Sequence, residues 1–169
     1  MKYHNITHDD MLNGDGLRVV LWVSGCNHKC EHCQNPITWD SKNGLLFDDN
    51  AKNEIFDQLN KDYISGITLS GGDPLFPENR LTIKELIYQI KILYPTKTIW
   101  LYTGYTYDIL IALNDAIIND ILDAIDVLID GPYDHTKRDV DLFWRGSSNQ
   151  RVINMPETIK QHKIILHCE

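Results

Sequence analysis

The chain has 169 residues, 43% of them hydrophobic and 24% charged, which suits one ordinary globular domain spanning 1–169 with a substantial core. Its 24 acidic residues outnumber 16 basic ones, giving a formal net charge of -8, and that balance excludes a bulk role in binding nucleic acid, which needs a basic face. The polar, acidic segment Met1 to Asp10 lacks the apolar core of a signal peptide, and no later apolar run is long enough to cross a membrane, so a soluble, cytoplasmic protein is expected.

In chain order, Gly16 to Ser24 is a continuous, β-branched apolar run, the pattern of a buried parallel strand, and it feeds directly into Gly25-Cys26. Asp48 to Asp62 has helical spacing, with Ile55, Phe56 and Leu59 on one face. Ile64 to Ser70 is a second strand running into Gly71-Gly72-Asp73-Pro74. Thr82-Ile83-Lys84-Glu85 reads as a capping box that opens a helix, whose stripe of Ile83, Leu86, Ile87, Ile90 and Leu93 stops near Pro95. Thr98 to Tyr102 is a third strand, ending at Thr103-Gly104-Tyr105 with Thr106 as a helix N-cap, and Tyr107 to Ala124 is again helical. Asp126 to Ile129 is a fourth strand, ending at Asp130-Gly131-Pro132-Tyr133. Arg151 to Asn154 and Lys163 to His167 read as short fifth and sixth strands. Alternating strands and helices predict an α/β fold with a parallel sheet, and ligands of such folds sit beyond the C-terminal ends of the strands. The chain is short for eight β/α units, so an incomplete parallel (β/α) barrel of about five or six strands is expected.

Three cysteines fall within eight residues, Cys26, Cys30 and Cys33. A thiolate cluster this tight suits one soft metal centre, and three ligands leave one metal position open. Two other readings compete. A Cys3His zinc site could recruit His28 or His32, although zinc sites usually pair two short hairpins across a longer spacer. Cys168 could supply a fourth ligand and close the cluster, which would make the chain an iron-sulfur electron carrier. Among the strand-end loops, Gly71 and Gly72 allow close approach of backbone to a ligand, and Asp73 could meet a cationic amine. Thr103 and Asp130 end strands that face the same mouth. The remaining histidines, His28 among them, are assigned to surface or packing.

The C-x3-C-x2-C spacing resembles the signature of the radical S-adenosylmethionine enzymes. That resemblance implies a 4Fe-4S cluster held by Cys26, Cys30 and Cys33, with the fourth iron chelated by the methionine moiety of S-adenosyl-L-methionine. Gly71-Gly72-Asp73 resembles the family's Gly-Gly-Glu motif, with Asp73 in place of the usual Glu, and His32 stands where the family commonly has an aromatic residue near the adenine. Asn13 to Arg18, Gly25 to Trp39, Ser70 to Leu75, Leu101 to Tyr105, Asp130 to Tyr133 and Arg145 to Arg151 together are similar to the activating proteins of the anaerobic, class III ribonucleotide reductases. Asp15, where a proline is expected, and Gln34, where relatives often carry His, depart from the pattern.

This resemblance implies an oxidoreductase in which the cluster and S-adenosylmethionine carry the chemistry and no side chain is catalytic. An electron from a flavodoxin-like donor cleaves S-adenosylmethionine to methionine and a 5'-deoxyadenosyl radical. That radical takes an α-hydrogen from a glycine of the large reductase subunit, leaving a glycyl radical there. A pyruvate formate-lyase activase and a carboxy-deazaguanine synthase are the alternatives within the superfamily.

Overall fold

The continuous apolar runs become the centre of a seven-stranded sheet. The computed structural model describes residues 1–168. Its strands are β1 (Lys2–Asp10), β2 (Leu17–Val23), β3 (Leu45–Leu46), β4 (Ile64–Gly71), β5 (Thr98–Tyr102), β6 (Val127–Asp130) and β7 (Arg151–Asn154). The helices are α1 (Asp49–Leu59), α2 (Arg80–Leu93), α3 (Tyr107–Leu113), α4 (Ala116–Ala124) and α5 (Met155–Gln161). None of the described helices is long and apolar enough to cross a membrane.

The strand order is β3-β1-β2-β4-β5-β6-β7. Neighbours among β2, β4, β5 and β6 are parallel, while β1, β3 and β7 pair antiparallel with theirs. The sheet is therefore mixed, which corrects the expectation of a parallel one, and seven strands replace the five or six expected. From β2 to β6 each new parallel strand is added on the same side of the last. Parallel crossovers are almost always right-handed, so a sheet wound in one direction places its helices on one face.

The core shows this directly. Apolar residues of all five helices join one cluster with Val19, Leu21, Val23, Ile67, Leu69, Ile99, Leu101, Leu128 and Ile153. The alternate residues of β5, β6 and β7 face the other way, where Trp100, Val127, Ile129 and Val152 form a smaller cluster with Tyr102, Trp144 and Cys168. On that face lies Arg18, fully buried and without a carboxylate partner among the described residues. Nε donates to Thr68 Oγ1 (2.8 Å), Nη1 to the Thr98 hydroxyl (2.9 Å) and the Asp15 carbonyl, and Nη2 to the carbonyls of Ile67 (2.7 Å) and Thr98 (2.9 Å). All five donors are thereby satisfied, so burial, which pulls the guanidinium down to about 10, leaves it charged at neutral pH. One side chain thus binds β2, β4 and β5 together at the level of their lower halves, leaving their C-terminal ends to the loops.

Several elements differ from the sequence expectation. The polar Lys2–Asp10 segment is a strand whose alternation is interrupted by a register shift between Tyr3 and Asn5, and this hides it from a period-two search. Helix α2 begins at Arg80, ahead of the Thr82 box, with Asn79 as its N-cap. Tyr107 to Ala124 is two helices, broken where Asn114 turns left-handed (φ 48°) and Asp115 caps the second by accepting from Ile117 and Ile118 N–H. Lys163 to His167 makes only an isolated bridge, Leu166 to Ile153, while Met155–Gln161 is a helix the pattern did not reveal.

Candidate metal centre

The cysteines sit in the loop that leaves β2. Gly25, at φ +104°, makes the turn possible, because a side chain there would meet the Phe76 ring at 2.7 Å. Gly25 N–H donates to the Thr38 carbonyl (2.7 Å) and Cys26 N–H to the Trp39 carbonyl (3.1 Å), closing residues 25–39 into a self-contained loop. Inside it, Lys29 (φ 47°) and His32 (φ 55°) take left-handed conformations, and residues 26–33 coil without regular structure. Cys26, Cys30 and Cys33 are free, half-buried and face one cavity of about 250 Å³. Burial pushes the Cys26 and Cys30 thiols up, with the nearby Asp73 adding to the effect. Such thiols shed their protons when a metal cation takes their place.

Among the described residues, the one group of three or more potential ligand atoms lying within 4.8 Å of one another is Glu31, His32 and His135, on the exposed flank of the loop. The three cysteine sulfurs are not such a group as they stand, so a single ion with Zn–S bonds of about 2.3 Å would have to draw them closer together. A multi-iron cluster spreads its thiolates further, and this donor set fits one. Asn35 N–H already points at Cys33 Sγ (3.4 Å), as hydrogen bonds to cluster thiolates do. Cys168 packs on the Trp100 and Trp144 cluster and is not among the residues facing this cavity, which removes the fourth ligand that a closed cluster needs.

Gly71 and Gly72 form the opposite wall. A Cβ on Gly71 (φ +106°) would meet the backbone of Val23 at 2.7 Å, and one on Gly72 would meet the Gly25 carbonyl oxygen at 2.5 Å. Gly72 N–H donates to the Val23 carbonyl (2.8 Å) and Asp73 N–H to that of Gly25 (2.7 Å). The glycine loop is laid directly on the start of the cysteine loop.

Of the residues singled out from sequence, Cys26, Cys30, Cys33, Gly71, Gly72 and Thr103 face the common cavity; His32, Asp73 and Asp130 are not among those that do. Asp73 is 1% exposed, and its carboxylate accepts from His28 Nε2 (2.7 Å), Thr103 Oγ1 (3.0 Å), Gly104 N–H (3.1 Å) and Leu75 N–H (2.8 Å). The His32 side chain is 69% exposed and stacks edge-on with His135 at 4.7 Å. Asp130 is fully buried, accepting from Tyr107 N–H (2.7 Å) and from Arg151 Nε (3.0 Å) and Nη2. This pairing holds the Arg151 guanidinium above its ordinary range. Arg151→Ala should therefore destabilise the fold by about 3 kcal/mol in chemical denaturation, because it strands a buried carboxylate. Asp130→Asn should cost less.

Sequence reasoning overlooked His28, which faces the cavity, bonds Asp73 and meets the Tyr105 ring edge-on at 4.5 Å. It also overlooked Trp22 and Tyr102, which reach the cavity from the helix-free face. Strand alternation marks those two as facing away from the core, and that signal was available. From the Arg145 to Arg151 segment, Gly146 and Gln150 face the cavity, and Gln150 Oε1 accepts from Gly146 N–H (3.0 Å).

Comparison with known proteins adds a family. The model of the 4Fe-4S single cluster domain family matches residues 12–153. The chain is 44% identical over 165 residues to the anaerobic ribonucleoside-triphosphate reductase-activating protein of Enterobacteria phage T4, covering 96% of this chain and 99% of that one. It is 43% identical over 154 residues to the protein of that name from Escherichia coli K12, covering 90% and 97%. With that of Pasteurella multocida, identity is 41% over 152 residues, covering 89% and 95%.

Proposed function

The chain belongs to the family of anaerobic ribonucleoside-triphosphate reductase-activating proteins, and from that membership we propose that it activates such a reductase by generating a glycyl radical on it. The observation that carries the reading is the open donor set: three thiols on one cavity, with the fourth cysteine packed elsewhere. Cys26, Cys30 and Cys33 would hold three irons of a 4Fe-4S cluster, leaving the fourth for S-adenosyl-L-methionine. When bound, these two groups supply the hard chemistry, one-electron cleavage of the sulfonium and removal of an α-hydrogen from a glycine.

The chain's own residues bind, orient and shelter. Gly71 and Gly72 present bare backbone to the cavity, and Thr103 lines it beside them. Trp22 and Tyr102 form its floor on the sheet. Burial holds the Tyr102 phenol far above its ordinary range, so it stays neutral and donates to the Trp144 carbonyl (2.7 Å), tying the long loop between β6 and β7 to the floor. Winding in one direction, with every helix on one face, supports a sheet curled as an incomplete barrel of the radical S-adenosylmethionine type. The open face then admits a loop of the large reductase subunit, and a flavodoxin-like protein of the cytoplasm is the electron donor we assign.

The test is to mix the reconstituted protein anaerobically with S-adenosylmethionine, a reductant and its cognate reductase. An electron paramagnetic resonance doublet from a glycyl radical should appear on the reductase, and deuterium placed at the Cα of its glycine should pass into 5'-deoxyadenosine. Pyruvate formate-lyase offered instead should stay silent. A doublet on the formate-lyase with none on the reductase overturns the partner assignment.

A further inference from the structure

The Asp73 carboxylate joins three loops that are far apart in sequence. His28 comes from the cysteine loop after β2, Leu75 N–H from the glycine loop after β4, and Thr103 Oγ1 with Gly104 N–H from the loop after β5. A carboxylate offers about four acceptor positions. His28, Thr103 and Gly104 crowd Oδ2 and Leu75 N–H takes Oδ1, and Asp73 is 1% exposed and not among the residues that face the cavity. It is therefore not free to receive the amino group of a ligand.

His28 completes the arrangement. Its ring lies edge-on to Tyr105, and Gly104 carries no side chain where a Cβ would stand 2.3 Å from the His28 ring. The ring is wedged between loops, and Nε2 is directed at the buried carboxylate. No other side chain between Cys26 and Cys30 has a buried partner in the loops across the cavity: Asn27 and Lys29 are exposed.

We infer that His28 and Asp73 are positioning residues, a brace that sets the cysteine loop in register with the glycine and threonine loops so that cluster and S-adenosylmethionine meet. The inference rests on the reading of this cavity as the S-adenosylmethionine site. It assigns the acidic residue after the two glycines to a partner within the chain and not to the ligand. It also gives the histidine between the first two cysteines a role other than metal ligation.

Two variants and two readouts test it in the anaerobically reconstituted full chain. His28→Phe keeps the ring between Tyr105 and Gly104 and removes the donor, while His28→Gln restores a donor of similar reach. The first readout is S-adenosylmethionine affinity by equilibrium dialysis, with iron content and the spectrum of the reduced cluster recorded alongside. The second is amide hydrogen exchange over residues 70–79 and 102–106, which contain the Leu75 and Gly104 amides and need no ligand. His28→Phe should weaken binding about tenfold or more, as loss of a hydrogen bond to a charged group does. It should also speed exchange in both segments at near-normal iron content, and His28→Gln should recover most of each loss. Wild-type affinity and exchange in His28→Phe would overturn the brace, as would loss of iron in step with affinity, which would place His28 with the cluster alone. If the unaltered protein binds no S-adenosylmethionine, the reading of the cavity fails, while the exchange comparison still decides whether the brace exists.

Discussion

Cys26→Ala, Cys30→Ala and Cys33→Ala should each lose cluster iron and the ability to cleave S-adenosylmethionine, measured as iron per chain and as 5'-deoxyadenosine released. A site with three protein ligands has none to spare. The loss should exceed the roughly 100-fold that removing an outer-shell partner of a metal site costs. The three variants should be alike, since all three thiols face one cavity. Cys168→Ala is the control. That side chain packs on the cluster of Trp100 and Trp144, so its loss should cost about 1 kcal/mol of stability and leave iron content unchanged. A Cys168→Ala protein that cannot retain iron would show that the cluster is closed and that the chain carries electrons without cleaving a ligand.

Gly72→Val is the second variant with a large expected effect. Read from sequence, the paired glycines admit a ligand, and the substitution should then weaken S-adenosylmethionine binding while sparing iron. The structure changes that expectation. The added Cβ would stand 2.5 Å from the Gly25 carbonyl oxygen and 3.0 Å from that of Thr38, both backbone atoms of the loop that carries the cysteines. Neither can swing aside as a flexible side chain would. The strand end must separate from the cysteine loop, at a cost of about 2 kcal/mol or more, and Cys26 lies one residue beyond Gly25. Both melting temperature and iron content should therefore fall. Gly131→Ala provides the comparison: at φ +94° it is strained, yet its nearest neighbour would be 3.7 Å away, so it should lose about 1–2 kcal/mol and keep its iron. Gly72→Val with normal iron and weakened ligand binding would return the glycines to a purely ligand-facing role.

The legible parts of the fold were those written in contiguous residues. β2, β4, β5 and β6 are continuous apolar runs because both of their faces are covered, and they end in the turn residues that mark the cavity. β1 was not legible: it is polar along most of its length and shifts register after Tyr3, so its two buried residues, Tyr3 and Ile6, fall out of alternation. The antiparallel direction of β7 was hidden as well, because a four-residue strand carries no mark of the way it runs.

The same division holds at the site. Three thiols within eight residues must lie close together whatever the fold, so the sequence by itself determined where a soft metal could be held and which three thiols could hold it. It also determined which strand-end loops would meet, since parallel strands of similar length bring their C-terminal ends to one edge. Only the tertiary structure decided what Asp73 binds, because its partners His28 and Thr103 lie 45 and 30 residues away, and a carboxylate on a turn has the same composition whether it meets a ligand or a neighbouring loop. The exclusion of Cys168 and the burial of Asp130 beneath Arg151 were decided in the same way. Local spacing specifies a metal's ligands through short chain connections, whereas the orientation of those ligands depends on packing between loops that chain order does not bring together.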